Sequence, residues 1–290
     1  MLQEVEYILV KKKLSESFDE VLVCQYLLEL EKQKAGEAAV HQYLAMLGML
    51  QELEGVRVCT RSEVVIQVKK SVIKRMNLFR RRKIRNPLKK VHFLRLVKKM
   101  FKMNSSLIDK RLLAAVGVMF CCIKRFSDIK EWRWEYMTED DGGFKVVQPR
   151  SKTDQLGHGL EIYIPRGRVG TIGPFEILDW LRKGVGRPEK GFVFCSLRRN
   201  KYGHSARLEF SAGYDVLRKQ FKAKLREIGL PELCIHACRI GGATELSRLG
   251  VSRDIIKQGG NWKSEAVDLY IRPERPMTKI VNKLSVCLKQ

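Results

Sequence analysis

Four side chains near the carboxyl end have the types and spacing of a site that handles a phosphate. His236 and Arg239 stand three residues apart in IHACRIGGATELSRLG, at the start of a predicted helix. Backbone N–H groups at a helix start favour an anion, and a forked guanidinium binds a phosphate through two donors. Tyr270 follows Arg239 by 31 residues and Trp262 by eight. A tyrosine oxygen among such donors can attack a phosphodiester and form a covalent ester.

Two upstream segments supply the other groups that this chemistry needs. Arg125 lies in CIKRFSDIKEW with Asp128 three residues later, which lets the carboxylate orient the guanidinium. Lys152 lies in the turn-rich loop SKTDQLGHG between two strand-like runs, where it could protonate a leaving oxygen. Arg150 and Lys145 remain alternatives for this proton donor, because the chain has 56 Lys and Arg residues.

The charge of the chain indicates a polyanionic partner. The 290 residues include 56 basic and 32 acidic side chains, a formal net charge of +24. Neutralising phosphates releases counterions, so nucleic acid is the favoured partner over a merely soluble cationic protein. Between Lys69 and Lys102 there are 15 Lys or Arg residues and no acidic residue, and this run could also serve as a nuclear localisation signal. The basic linker that we expect to contact DNA comprises Lys69, Lys70, Lys74, Arg80, Arg81, Arg82, Lys83, Arg85, Lys89 and Lys90.

The elements that must position these residues fall into two groups along the chain. Helical periodicity fills residues 1–85, where a Thr60–Glu63 capping pattern predicts a long helix running toward Arg82. Asn86-Pro87 breaks that helix, so we expect one domain over 1–85 and another over 86–290. The second begins with helices and continues with the strand-like runs EWRWEYM, GFKVVQP and LEIYIP; the extended piece GFVFC and further helices follow. The predicted fold class is mostly α with a small antiparallel β-sheet (α+β).

Several other classes of protein are disfavoured by the sequence. No run of about 18 apolar residues is present, and the N-terminus has the wrong charge order for a secretory signal, so we expect neither a membrane span nor secretion. The eight cysteines form no C-x-x-C pair and are expected to be free thiols. Cys234, His236 and Cys238 have a spacing that zinc can use, but packing is the favoured interpretation, and no metal or other cofactor is expected.

Six positions in order resemble the boxes of the tyrosine recombinases, and the resemblance covers nearly the whole chain. HACRIGGATELSRLG with IIKQGGNWKSEAVDLYIRP resembles the C-terminal signature of that family, and CCIKRFSDI resembles its first arginine box. SKTDQ resembles the hairpin that carries the family's catalytic lysine. The N-terminal helices resemble a DNA-binding core-binding domain. The resemblance implies that this domain and a catalytic domain form a C-shaped clamp around a duplex.

The family's functional roles pass to the matching positions as implications of this resemblance. Arg125 and Arg239 would hold the scissile phosphate, with Asp128 supporting them. His236 would bind the phosphate and assist proton transfer, and Trp262 would donate its indole N–H. Tyr270 would attack to give a 3′-phosphotyrosine while Lys152 protonates the leaving 5′ oxygen. The implied protein is a site-specific recombinase or integrase of a mobile element, which needs neither metal nor ATP.

The same resemblance implies partners and leaves alternatives open. The expected partners are double-stranded DNA and further copies of the chain in a tetramer, with no small-molecule substrate. A silent DNA-binding protein derived from a recombinase and a type IB topoisomerase are the alternatives, and an RNA-binding protein is disfavoured because the aromatic RNP pattern is lacking. Trp262 in place of His, and its short interval to Tyr270, resemble DIRS-like, Ngaro-like and Crypton recombinases. We expect a nuclear protein if the source is eukaryotic and otherwise a cytoplasmic one. The tail MTKIVNKLSVCLKQ is expected either to dock on a neighbouring subunit or to pack in cis.

Overall fold

The computed structural model of the chain describes residues 20–55, 58–79, 86–148, 159–262 and 264–271. The chain divides into two compact units, Met1–Ile84 and Arg85–Gln290. The expected fold class, mostly α with a small antiparallel sheet, is confirmed by the order of elements. None of the described helices is both long and apolar enough to cross a bilayer.

The first unit consists of helices packed around one apolar core. Its elements are α1 (Glu20–Lys32), α2 (Glu37–Leu53), a 3₁₀ turn (Cys59–Arg61) and α3 (Glu63–Phe79). Apolar residues at helical spacing, among them Leu27, Val40 and Val72, are fully buried between the three helices. Arg75 on α3 binds Glu31 on α1 through two hydrogen bonds of 2.6 and 2.7 Å, and this pair ties the first helix to the third.

The start of α3 differs from the predicted capping pattern. Thr60 lies inside the 3₁₀ turn, and the hydroxyl of Ser62 accepts the hydrogen bond from the backbone N–H of Val65 at 3.3 Å. A serine directly before the first helical residue satisfies a donor that the helix leaves free, so Ser62 rather than Thr60 begins this helix. The described part of α3 ends at Phe79, and the segment toward Arg82 lies outside the described residues.

The second unit begins with helices that enclose a central one. They are α4 (Lys90–Met100), α5 (Leu107–Cys121) and the one-turn helix α6 (Phe126–Ile129). Every residue from Arg111 to Phe120 is buried, so α5 is covered on all sides. Its one buried cation, Arg111, donates to the Cys195 carbonyl at 2.7 Å and to the Gln220 side chain at 2.9 Å, while its Nε has no acceptor within the described chain. The segment that carries Arg125 follows directly after α5.

A three-stranded antiparallel sheet covers one side of this unit. Its strands are β1 (Met137–Asp140), β2 (Gly143–Gln148) and β3 (Leu160–Pro165), in the order β1-β2-β3. The predicted strand EWRWEYM is only partly correct, because Trp134–Tyr136 form a 3₁₀ turn and the strand begins at Met137. Trp132 and Trp134 are buried.

A second sheet, a two-stranded hairpin, was not predicted from the sequence. After α7 (Pro174–Gly184), strand β4 (Cys195–Asn200) pairs antiparallel with β5 (Gly203–Ser211). Most of the predicted extended piece GFVFC precedes β4, and only Cys195 belongs to the strand. The remaining elements are helical, as expected: α8 (Tyr214–Glu227), α9 (Ala237–Arg248), α10 (Arg253–Gly259) and a 3₁₀ helix (Glu265–Leu269).

Two glycines let α9 lie directly against the backbone of the central helix and of the segment before α4. A Cβ on Gly241 would stand 2.0 Å from the carbonyl oxygen of Leu88, and one on Gly242 would stand 1.9 Å from that of Phe120. Only a residue without a side chain fits either position. Gly241 and Gly242 therefore form a packing surface that brings Arg239, two and three residues before them, into the interior.

Candidate active site

Helix α9 begins at the site and delivers two of its side chains. His236 is the residue before the helix, and Arg239 follows in the first turn with no exposed surface. The guanidinium of Arg239 donates to the carbonyl of Gly260 at 2.7 Å and stacks on the Trp262 ring, 4.0 Å from its centre. A buried cation on an indole face is a strong contact because no water screens it. Arg239 and Trp262 thus form one packed unit.

Tyr270 completes this unit from the end of the described chain. It follows the 3₁₀ helix Glu265–Leu269, and its carbonyl accepts a hydrogen bond from the hydroxyl of Thr244 on α9 at 3.0 Å. Its phenolic oxygen lies 3.2 Å from Nε2 of His236, within hydrogen-bond distance. Its ring meets the Trp262 ring edge-on at 4.8 Å, and the Arg239 guanidinium lies 5.3 Å from its centre. The hydroxyl therefore points toward the imidazole of His236, the residue that precedes α9.

The upstream arginine reaches the same cluster through Asp128. Arg125 caps α6, and its backbone N–H donates to Asp128 Oδ2 at 3.2 Å. The same oxygen lies 3.7 Å from Nη1 of Arg125 and 3.9 Å from Nη1 of Arg239. Asp128 is buried, so one shielded carboxylate holds both guanidinium groups. The two arginines meet in space although 113 residues lie between them in sequence.

Several buried donors in this cluster have no acceptor within the described chain. They are Nε and Nη1 of Arg239 and the indole Nε1 of Trp262. A buried donor without a partner costs about 1–3 kcal/mol, so such a group calls for an explanation. Burial lowers the pKa of Arg239 and repulsion from Arg125 adds to this, while Tyr270 and Asp128 act in the opposite direction. An anion placed here would satisfy the free donors and relieve the repulsion between the two cations.

The remaining predicted site residues have different outcomes. Lys152 and its alternative Arg150 lie outside the described residues, as do the linker residues Arg80, Arg81, Arg82, Lys83 and Arg85 and the tail. The other alternative, Lys145, lies on β2 and forms an ion pair of 2.7 Å with Glu161 on β3. Of the described linker residues, Lys70, Lys74, Lys89 and Lys90 are exposed, and Lys69 is half-buried.

The C-x-H-x-C spacing does not form a cluster of metal ligands in the described chain. Within residues 20–271, apart from the ranges not described, no three His, Cys, Asp or Glu side chains are grouped in a way that could hold a metal ion. Cys238 is fully buried and joins the apolar core, and its burial raises the pKa of its thiol. His236 turns to Tyr270 instead.

Two features of the structure were not identified from the sequence. The first is Lys124, which is buried beside Arg125 and donates to the carbonyl of Gly259 at 3.0 Å. The second is the group of exposed cations on the β4–β5 hairpin, which we call the hairpin cations: Arg198, Arg199, Lys201 and Arg207. The alternation of Arg207 with apolar residues in SARLEFS is a signal for a strand that could have located this hairpin.

Comparison with known proteins identifies a recombinase of similar sequence. The chain is 26% identical to the recombinase Cre of Escherichia phage P1 over 265 residues, which is 86% of this chain and 75% of Cre. A scan against protein-family models gives no match.

Solved structures of recombinases share the fold. The XerH site-specific recombinase, in a post-cleavage complex with its palindromic difH substrate, superposes with a TM-score of 0.59 at 14% identity, covering 94% of this chain and 73% of XerH. The Tn1549 transposon integrase, bound to circular intermediate DNA, gives 0.57 at 10% identity over 97% and 91% of the two chains. The XerA recombinase gives 0.52 at 12% identity over 97% and 96%.

On the fold that these recombinases share, the site of this chain brings together a tyrosine oxygen, an imidazole and two guanidinium groups. The sequence is similar to that of the Cre recombinase, and the fold is shared with the XerH recombinase and the Tn1549 integrase.

Proposed function

We propose that this chain is a site-specific DNA recombinase that cuts and rejoins DNA through a 3′-phosphotyrosine on Tyr270. The observation that carries the proposal is the placement of the Tyr270 hydroxyl 3.2 Å from His236, beside a buried Arg239 of which two guanidinium nitrogens have no hydrogen-bond acceptor within the described chain. A nucleophile, a proton acceptor and cationic phosphate ligands are the three components of a phosphoryl-transfer site, and here they occupy one cluster.

The proposed reaction begins when Arg239 and Arg125 bind the non-bridging oxygens of the scissile phosphate. His236 accepts the phenolic proton as the oxygen of Tyr270 forms its bond to phosphorus. The bond from phosphorus to the 5′ oxygen breaks, and Lys152 gives that oxygen a proton. The ester keeps the free energy of the broken bond, so a second 5′ hydroxyl can reverse the step without ATP, and no metal is assigned a role.

The Tyr270 side chain packs against His236 and Arg239 of its own chain, which favours cleavage in cis. Tyr270, His236 and Arg239 all belong to one subunit, and the carbonyl of Tyr270 is anchored to Thr244 on the same helix as Arg239. We propose that each subunit attacks the phosphate that it binds. Mixing a Tyr270→Phe protein with an Arg239→Ala protein tests this: cis cleavage predicts no adduct from the mixture, and adduct formation would indicate trans cleavage.

Duplex DNA is the proposed substrate, bound through exposed cations of both units. Lys70 and Lys74 of α3 and Lys89 and Lys90 before and in α4 are available from the basic linker. The hairpin cations add four positive charges to a segment, residues 195–211, whose one carboxylate is Glu209. A two-stranded ribbon has the width to enter a major groove, and such cations position a protein on the phosphates.

The larger assembly is part of the same proposal. We propose a helical DNA-binding domain over 1–85 and a catalytic domain over 86–290. We further propose that four copies form a tetramer that brings two duplexes together. The protein would act for a mobile element, in the nucleus or the cytoplasm of its host. The proteins of similar fold include a recombinase in a post-cleavage complex and a transposon integrase bound to DNA, which supports this assignment. The relationship to the recombinases of DIRS-like, Ngaro-like or Crypton elements stays a prediction that depends on Trp262. The relative of similar sequence, Cre, is a phage protein.

The experiment that tests the function is a nicked suicide substrate incubated with the protein in EDTA and resolved on a denaturing gel. The proposal predicts a covalent protein–DNA adduct with the wild type and none with Tyr270→Phe. DNA binding without an adduct would favour the silent DNA-binding alternative. Relaxation of supercoiled DNA without strand exchange would favour the topoisomerase alternative.

A further inference from the structure

Lys124 is a buried cation to which the proposed reaction gives no role. It precedes Arg125 in the loop between α5 and α6 and is only 5% exposed. Its ammonium donates to the backbone carbonyl of Gly259 at 3.0 Å, a contact across 135 residues of sequence. Lysine is almost never buried unless it is paired, so a specific contact must retain it here.

The backbone before Lys124 is strained in a way that turns the lysine inward. Ile123 has a φ of +47°, a left-handed conformation that a β-branched residue rarely adopts. Ile123 is held there by burial in a small apolar cluster with Ala243, Ile256, Trp262 and Val267. Backbone strain of this kind persists where surrounding packing over-determines the conformation, often at functional sites. The packing that holds Ile123 therefore also directs Lys124 toward the end of α10.

Two buried cations bind two successive carbonyls of residues 259–262, which we call the glycine turn. Lys124 binds the carbonyl of Gly259, and Arg239 binds that of Gly260 at 2.7 Å. The same turn ends at Trp262, whose backbone N–H donates to the Lys257 carbonyl at 3.0 Å. Trp262 is the ring against which both Arg239 and Tyr270 pack. A shift of this turn would therefore move the wall of the active site.

At this buried position a lysine is less favourable than an apolar residue, unless its hydrogen bond to the Gly259 carbonyl has a role. Burial lowers the pKa of Lys124, and the nearby cations Arg239 and Arg125 lower it further, while Cys122 and Asp128 raise it. An apolar residue would avoid both the desolvation and the repulsion, but it would leave the Gly259 carbonyl without this donor.

We infer that Lys124 is a positioning residue, which fixes the glycine turn and through it the Trp262 ring against Arg239 and Tyr270. This inference rests on the proposed function. Lys124 acts through the turn and is not a catalytic residue. It links the segment carrying the upstream arginine to the turn carrying the tryptophan, so the two halves of the phosphate site keep one geometry.

The test is a double-mutant cycle on the rate of adduct formation under single-turnover conditions. Lys124→Met keeps most of the side-chain volume and removes the donor, and Lys130→Met, at a half-buried lysine that pairs with Glu131 in the same segment, is the charge-matched control. We expect Lys124→Met to slow adduct formation about 10–100-fold, since a displacement of about 1 Å in an active site costs about that factor. We expect Lys130→Met to have little effect, DNA affinity to be equal in the two variants, and Lys124→Arg to restore part of the rate.

The cycle separates positioning from loss of stability. If Lys124 acts through the Trp262 ring, Lys124→Met has a much smaller effect in a Trp262→Phe background than alone. An equal loss in both backgrounds, or an unchanged rate in Lys124→Met, overturns the inference. If the methionine variant does not fold, Lys124→Gln takes its place, because its shorter amide cannot reach the carbonyl. Absence of any adduct with the wild type would instead refute the proposed function.

Discussion

Replacing Gly260 by alanine should displace the Trp262 ring without altering any charged group. A Cβ at Gly260 would lie 1.8 Å from Cζ3 and 2.3 Å from Cε3 of Trp262. Gly260 has a φ of −86°, which alanine adopts freely, so the backbone itself accepts the substitution. The steric effect therefore falls on the indole ring.

The size of the displacement sets the expected loss of rate. Ordinary contact begins near 3.4 Å, so the ring must retreat by roughly 1.6 Å from the new methyl group. That movement separates the ring from the Arg239 guanidinium, now 4.0 Å from its centre, and from the Tyr270 ring at 4.8 Å. A misplacement of about 1 Å costs about 100-fold in rate, so we expect adduct formation to slow by about 100-fold or more.

The neighbouring glycine provides the matched control. A Cβ on Gly259 would have Cδ1 of Ile123 as its nearest contact at 3.6 Å, which is ordinary packing distance. Single-turnover cleavage of a suicide substrate should therefore be close to wild type for Gly259→Ala and strongly reduced for Gly260→Ala. Equal rates for the two variants, at equal thermal stability, would refute the role that we give to the Trp262 ring.

Three further predictions concern packing, pH and DNA binding. Gly242→Ala should lower the free energy of unfolding by about 3 kcal/mol or more, because its Cβ would overlap the Phe120 carbonyl. Gly213→Ala, whose Cβ has its nearest neighbour at 3.9 Å, should leave the free energy of unfolding unchanged. Equal melting temperatures of the two variants by calorimetry would contradict this. The hydrogen bond from Arg75 lowers the pKa of Glu31 below its ordinary 4.5, so the pair stabilises the fold fully above pH 4.5. The difference in melting temperature between wild type and Glu31→Gln should therefore shrink as the pH falls further. A difference that stays constant with pH would count against the pair. Changing the hairpin cations to glutamine should reduce the slope of log affinity against log salt by about 0.9 for each phosphate that the variant no longer neutralises, and an unchanged slope would place the hairpin away from DNA.

The sequence was sufficient to predict features that depend on local residue patterns. His236 and Arg239 lie at a helix start, as expected: His236 directly precedes α9, and Arg239 lies in its first turn. Tyr270 and Trp262 lie near them in the structure, as their spacing allowed. The regular periodicity of the helices carried most of this information.

Features that depend on interactions between distant segments could not be predicted in the same way. Burial of Lys124 follows from the left-handed conformation of Ile123 and from the packing of Trp262 on it, neither of which leaves a local pattern. Ser62 replaced Thr60 as the helix cap because residues 59–61 form a 3₁₀ turn first. Strand β5 was missed because its exposed, charged residues resemble a loop in composition.

The central claim is that the phenolic oxygen of Tyr270 becomes bonded to the phosphorus of the DNA backbone. The most direct measurement is to trap the adduct on a suicide substrate, digest both protein and DNA, and locate the nucleotide by mass spectrometry. We predict that the modified peptide contains Tyr270 and carries a 3′-phosphate ester, with no other tyrosine modified. An ester on another side chain, such as Tyr202 or Tyr214, or a 5′ linkage, would contradict the claim.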